Sequence, residues 1–414
     1  MERELTTQLS VWLDDPSFGD LQHIGQLSKG SKGVIRFSYD PEWLALPHVF
    51  SIDPQLDLHE GEFFPENSNF GVFMDSCPDR WGQLLMQRRE RIEAADEKRP
   101  SSTLSPWEFL LGVQDCTRMG ALRYSLVGDK SFLASEALAA PPIAKMQELQ
   151  EIAYNLSNNR QDDLDDLRRW LRVLVAPGAS LGGARPKANI EEADGSLWIA
   201  KFPSSNDDYD VAAWEMVLHE LASKSGVEVP NARIVRFGSG YHTFLVQRFD
   251  RVDKKRKFFS SAMTMLNRND RDNASYLEIA EFITTFGEPD YITADLHQLF
   301  RRVVFNVLTG NRDDHLRNHG FIRNPNGWRL SPAYDMNPSS KKEEHVLAIN
   351  EYDTRPLIQT VRDTCPFYRL KAEEALSVID EVTAAISPWK TVALSVGLSR
   401  QDCLDMNHLF QGNF

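Results

Sequence analysis

Two residues five positions apart, Asp313 and Asn318, stand in the polar stretch Asn311-Arg312-Asp313-Asp314-His315-Leu316-Arg317-Asn318. That spacing belongs to phosphoryl transfer. In a kinase catalytic loop an Asp takes up or orients the proton of the attacking hydroxyl, and an Asn five residues on holds magnesium over the phosphates. Asp and Asn are also common in loops because they cap and turn the chain, so the assignment rests on what surrounds the pair. A second carboxylate, Asp335 in Ala333-Tyr334-Asp335-Met336, is expected to finish near Asn318. Together they would offer oxygen ligands to magnesium, an ion that usually keeps several of its waters.

Groups suited to phosphates come earlier in the chain. In Pro177-Gly178-Ala179-Ser180-Leu181-Gly182-Gly183-Ala184-Arg185-Pro186-Lys187, Gly182, Gly183 and small residues let the backbone approach phosphates closely, and Arg185 and Lys187 supply positive charge. No Gly-Lys-Ser/Thr follows, so this is not a Walker loop. A hairpin is expected next, with strands over 188–191 and 196–201 joined by a turn at Ala193-Asp194-Gly195. A Gly-rich loop, a strand, and then a strand ending in Lys201 is the kinase nucleotide-binding order. Glu215, in the first turn of a helix over 210–225, is placed to pair with Lys201; without that lysine it would read as a surface carboxylate. Strands over 232–236 and 243–247, the second ending at Gln247, then lead out through Arg248-Phe249-Asp250-Arg251. In a bilobal kinase this exit is the hinge, which puts Gln247 and Phe249 at the nucleotide and makes Asp250 an acceptor for the ribose.

The elements that must position these groups are legible as patterns. Leu296, Leu299, Phe300, Val303, Val304, Val307 and Leu308 recur every three or four residues, which predicts a buried helix over 295–310, a rigid base for the loop that follows. Residues 320–323 and 328–331 flank Asn324-Pro325-Asn326-Gly327 and predict a hairpin that returns the chain toward Asn318. Further helices are expected over 276–286 and 371–386. Toward the N-terminus, short runs over 8–13, 25–27 and 33–39 predict a small sheet, and 79–95 a helix; no catalytic constellation appears there. Asp162, Asp163, Asp165 and Asp166 read as a solvated helix face, and Lys254-Lys255-Arg256-Lys257 as a solvated loop.

At 414 residues the chain should hold roughly two to three domains. Its 46 basic and 60 acidic side chains give a net charge of -14, which opposes unaided binding to nucleic acid or to an anionic membrane. The four cysteines, Cys77, Cys116, Cys365 and Cys403, form no C-x-x-C pair and indicate neither structural zinc nor a disulfide framework, which fits a reducing cytoplasm. Neither a signal core nor a run of about 20 apolar residues is evident.

Assembled, these residues resemble the HipA family, the kinase toxins of bacterial type II toxin-antitoxin modules. The resemblance rests on Ser180-Leu181-Gly182-Gly183-Ala184-Arg185-Pro186-Lys187, Ile199-Ala200-Lys201-Phe202-Pro203, Val246-Gln247-Arg248-Phe249-Asp250-Arg251, the segment from Gly310 to Asn318, and Tyr334-Asp335-Met336, with Tyr39-Asp40-Pro41-Glu42-Trp43-Leu44 as the clearest N-terminal match. It implies an α+β fold of the bilobal protein-kinase and phosphoinositide-kinase kind, with an additional small N-terminal α/β subdomain. The expected division is 1–130 for that subdomain, 131–252 for the kinase N-lobe and 253–414 for a mainly helical C-lobe. It also implies a Ser/Thr kinase that uses ATP and magnesium. By matching position Asp313 is the catalytic base, Asn318 and Asp335 hold the metal, Lys187 and Lys201 bind phosphates, His315 positions the loop, and Ser180 is the serine whose autophosphorylation switches the enzyme off. The implied partners are a helix-turn-helix antitoxin of the HipB kind, through which alone DNA would be met, and a protein substrate such as an aminoacyl-tRNA synthetase. One departure is Asp314, where relatives frequently carry Gly.

Two other readings remain open on sequence. Gly178-Ala179-Ser180-Leu181-Gly182 satisfies G-x-S-x-G after the strand-like Val173-Leu174-Val175, the nucleophile-elbow pattern of serine hydrolases, but an elbow must lead straight into a helix and Pro186 with its hairpin does not. The other is a kinase-fold co-repressor or scaffold that has lost turnover, against which the complete set of Lys201, Glu215, Asp313, Asn318 and Asp335 argues.

Overall fold

A computed structural model describes residues 7–30, 33–129, 131–134, 141, 143–157, 185–238, 240–270 and 272–411. The chain divides into two compact units, one of residues 1–199 with 250–260, the other of 200–249 with 261–414.

The first unit is built on an antiparallel sheet of β1 (Thr7–Leu13), β2 (Gln22–Lys29), β3 (Ile35–Tyr39) and β4 (Leu122–Leu126), in the order β3-β2-β1-β4. Leu9, Val11 and Leu13 are buried in the core along β1, as the period of two requires. Val11 faces Gly25, where an added Cβ would stand 2.2 Å from the Ser38 carbonyl, so the strands approach this closely only because residue 25 is Gly. Phe37, Phe73 and Tyr124 pack edge and face beneath the sheet. The buried Arg118 guanidinium donates to the carbonyls of Ser76, Leu110 and Val113 and lies over the Tyr124 ring. Helix α1 (Arg80–Asp96) begins where the Asp79 carboxylate accepts from the Gly82 N–H. Later come β5 (Lys187–Glu191) and β6 (Leu197–Lys201), joined by a turn with Gly195 at φ +80°. Residues 250–260 return to this unit: the Phe258 N–H donates to Asp15, and Phe258 packs on Phe50.

The second unit is mainly helical and starts at the last two residues of β6. Helix α2 (Val211–Lys224) is capped by Asp210, and β7 (Ala232–Val235) and β8 (Thr243–Gln247) pair antiparallel beside it. Helix α3 (Tyr276–Phe286) opens on a capping box of Ser275 and Glu278. Helix α4 (Ile292–Thr309) runs through the core with Leu296, Leu299, Phe300, Val303, Val304, Phe305, Val307 and Leu308 all buried, each such side chain contributing about 1.5–3 kcal/mol. Gly310 ends it at φ +68°, a left-handed cap with Leu409 packed where a Cβ would project. Strands β9 (Gly320–Asn324) and β10 (Gly327–Leu330) form the hairpin, with Phe321 opposite Leu330 and Asn324 opposite Gly327. Helices α5 (Ala372–Ile386) and α6 (Trp389–Val396) complete the unit. Against α2, Trp214 meets Trp389, which in turn stacks on Phe410. Among the described residues no helix is long and apolar enough to cross a membrane.

Candidate active site

Lys201, at the end of β6, is a buried charge held by two carboxylates of the second unit. Its buried ammonium donates to Glu215 on α2 and to Asp335, each at 2.5 Å. Burial works against the ammonium, but Asp335 and Glu215 outweigh it and raise the lysine's pKa above its ordinary value. Asp335 sits at φ +58°, a left-handed conformation that costs a non-glycine residue about 1–3 kcal/mol and persists only where its surroundings enforce it.

The loop after α4 carries the other expected residues. Asp313 is exposed, its N–H donating to Ser339 Oγ at 3.1 Å and its carboxylate accepting from Lys342. Asn318 closes a one-turn 3-10 helix, Leu316–Asn318, and is buried, yet its Oδ1 has no hydrogen-bond partner among the described residues. A buried acceptor left unmade costs about 1–3 kcal/mol, which a cation at that oxygen would recover. The Tyr334 hydroxyl donates to the Arg317 carbonyl at 2.8 Å, tying the residue before Asp335 to the residue before Asn318. One carboxylate oxygen and one amide oxygen suit magnesium, which takes few protein ligands and fills the rest with water and phosphate. Among the described residues, no cluster of three or more His, Cys, Asp and Glu is placed to hold a metal.

Asp314 is what fixes the loop. Its buried carboxylate accepts from the Tyr276 hydroxyl at 2.7 Å, Asn306 Nδ2 at 2.8 Å and His319 Nε2 at 2.7 Å. Burial opposes its charge, but His319 and Tyr276 hold its carboxyl below the usual carboxylate range, while burial and the same carboxylate push the Tyr276 phenol up. His315 is half-buried, and its Nδ1 has no partner among the described residues.

Of the remaining expected residues, Ser180, Gly182 and Gly183 lie outside the described residues, as do the four aspartates at 162, 163, 165 and 166. Lys187 begins a strand, β5, where a nucleophile elbow would need a helix; within the first unit its buried ammonium pairs with Asp79 at 2.7 Å. Asp250, in the same unit, is fully buried and accepts from the Gly120 N–H at 2.8 Å and from Arg251 at 2.6 Å. In the second unit, Gln247 Oε1 accepts from Asn231, and Phe249 stacks on Tyr334 with centroids 5.5 Å apart. Lys342, Ser339, Asp314 and Asp79 were not singled out as functional residues from sequence. Each acts across 26 or more residues of chain or through a buried network, and such partners leave no local pattern.

The architecture and the cluster of Lys201, Glu215 and Asp335 define an α+β, kinase-like fold. Residues 179–389 match the HipA-like C-terminal domain and residues 9–125 the HipA N-terminal domain. The chain belongs to the HipA family. A putative kinase of Haemophilus influenzae is 31% identical over 183 residues, covering 38% of this chain and 52% of that protein. The serine/threonine-protein kinase toxin HipA of Shewanella oneidensis is 26% identical over 190 residues, covering 39% of this chain and 43% of that one. The chain thus spans about half the length of the curated relatives it matches. The solved structure of HipA from Shewanella oneidensis MR-1, in complex with HipB and its operator DNA, superposes with a TM-score of 0.65 at 18% identity, covering 97% of this chain and 95% of that one. It shares the fold.

Proposed function

We propose that this protein is a Ser/Thr protein kinase that uses ATP and magnesium and acts in the cytoplasm as the toxin of a toxin-antitoxin pair. The observation that carries this is Lys201 held between Glu215 and Asp335 in the unit whose loop carries an exposed Asp313 and a buried Asn318 with its amide oxygen unpartnered among the described residues. Lys201 neutralises the phosphates, and Glu215 keeps its ammonium in place. Asn318 and Asp335 hold magnesium, which when bound neutralises charge on the phosphates. Asp313 accepts the proton of the substrate hydroxyl as its oxygen bonds to the γ-phosphorus and the bond to the β,γ-bridging oxygen breaks, releasing ADP. His315 helps to position the loop. Gln247 and Phe249 belong to the hinge around the nucleotide, and Lys187, Gly182 and Gly183 to its phosphate loop; the Asp250 carboxylate, fully buried, is taken up by the Gly120 N–H and Arg251 in place of a ribose hydroxyl.

Family likeness supports three finer statements. The substrate is a protein of the aminoacyl-tRNA synthetase class; a HipB-like helix-turn-helix antitoxin is the partner, through which DNA is met; and Ser180 is the site of self-inactivation. A dianionic phosphate on Ser180 would compete with ATP for the loop's amides and lysines. Intact-mass measurement after incubation with ATP and magnesium tests the proposal. One added phosphate, mapped to Ser180 and absent in Asp313→Gln, is expected. Labelling of Ser180 by an active-site phosphonate, with no phosphate gained from ATP, would overturn it in favour of a hydrolase.

A further inference from the structure

We infer that Lys342 is a positioning residue of the phosphoryl-transfer centre, acting through Asp313; the inference rests on the kinase reading above. The ion pair by itself would mean little, since both side chains reach solvent and exposed pairs often contribute nothing measurable. What distinguishes Lys342 is its backbone. The Lys342 carbonyl accepts from Arg312 Nη1 at 2.6 Å, and the Val346 N–H donates to the Arg312 carbonyl at 3.1 Å. The segment from Lys342 to Val346 is therefore held at both ends by the residue immediately before Asp313. Upstream, the Ser339 N–H donates to the Gly310 carbonyl at 2.9 Å, Ser339 Oγ accepts from the Asp313 N–H at 3.1 Å, and the Asn337 N–H donates to Asn311 Oδ1 at 3.3 Å. Residues 337–346 are thus clamped along residues 310–313 from both sides of Lys342, and its ammonium is delivered to Asp313 by a fixed scaffold.

The adjacent lysine supplies the contrast. Lys341 pairs with Asp208 at 2.9 Å, with side chains 80% and 61% exposed, and its partner lies on a different segment far from the loop in sequence. Two neighbouring lysines thus make carboxylate contacts of the same kind, and one of the carboxylates is the proposed base. An ammonium held on that carboxylate fixes which oxygen faces the incoming hydroxyl, so its effect falls on the chemical step after ATP is bound.

The test follows phosphate transfer from γ-labelled ATP into the chain itself, at varied ATP, for wild type, Lys342→Met, Lys342→Arg and Lys341→Ala, with thermal unfolding alongside. Lys342→Met should slow transfer at saturating ATP by about 10²-fold, as loss of a preorganised charged donor does, while half-saturation by ATP moves less than about threefold. Lys342→Arg should restore most of the rate, and Lys341→Ala should match wild type. Wild-type rates in Lys342→Met, with wild type itself active, would overturn this assignment alone. A faster Lys342→Met would also overturn it, marking the contact as a brake. So would a slow Lys342→Met that unfolds earlier and is not rescued by Arg, marking it as structural. Absence of transfer in wild type would sink the kinase reading and this inference with it.

Discussion

Two lysine-carboxylate contacts in the same unit differ in one respect, and the difference sorts what each is for. At Lys201 the side chains are 7% exposed for the lysine, 4% for Glu215 and 25% for Asp335; at Lys342 and Asp313 they are 41% and 59%. Burying an ion costs several kcal/mol, recovered only when partners are close and complete, so the Lys201 cluster must be assembled for the unit to fold. It also holds two carboxylates against one ammonium, and the excess negative charge suits a cation at Asp335. The exposed pair contributes about 1 kcal/mol or less. Stability gives no reason to keep Asp313; the proposed role as base does.

The largest loss of activity is expected for Asp313→Asn. Loss of a positioned general base is expected to lower phosphoryl transfer by about 10²–10⁴-fold, while urea unfolding moves by less than about 1 kcal/mol because only an exposed pair is lost. A full-rate Asp313→Asn would remove the residue from the mechanism. Lys201→Met should do the reverse in emphasis, leaving Glu215 and Asp335 facing each other without a counter-charge at a cost of about 3–5 kcal/mol. A near-native unfolding midpoint for Lys201→Met would show that the cluster is less dry than its burial indicates.

Much of this arrangement was legible in sequence because it is periodic or local. The spacing from Leu296 to Leu308 predicted α4, and Asn324-Pro325-Asn326-Gly327 the hairpin of β9 and β10. What was not legible is carried across the chain. Strand β4 pairs with β1, and Trp12 bonds Ser125 113 residues away. Asp314 read as a departure from relatives, yet it joins α3, α4 and His319 through a buried carboxylate. Lys341-Lys342-Glu343-Glu344 is a charge run like any other, and it is the hydrogen bond from Arg312 to the Lys342 carbonyl that separates Lys342 from its neighbour.

Acid should loosen the exposed side of the comparison through His345. It is buried, neither ring nitrogen has a partner among the described residues, and burial pushes its pKa down to about 4. The unfolded chain takes up that proton near the ordinary value of about 6.5. Between those values the unfolded state binds more protons, so stability is fully present above about pH 6.5 and falls as pH drops toward 4, by about 3 kcal/mol at most. His345→Leu should flatten that part of the profile when urea midpoints are compared at pH 7, 5.5 and 4.5. An unchanged slope would move the acid sensitivity elsewhere.

The smallest expected change in stability carries the metal assignment. Asn318 is buried with its Oδ1 unpartnered, so Asn318→Ala removes an acceptor that now costs free energy rather than one that supplies it. Without nucleotide the variant should therefore unfold within about 1 kcal/mol of wild type, on either side. With ATP and magnesium the two should part. A ligand bound only by the folded state stabilises it by about 2.7 kcal/mol at a hundred times its dissociation constant, and a variant lacking one of two protein oxygens for the ion should lose most of that gain. Titrating magnesium at fixed ATP separates this from a nucleotide defect, because Asn318→Ala should need more magnesium while keeping its response to ATP. If the variant instead unfolds several kcal/mol earlier with no ligand present, Asn318 is holding the loop together, and the unpartnered oxygen does not mark a metal site.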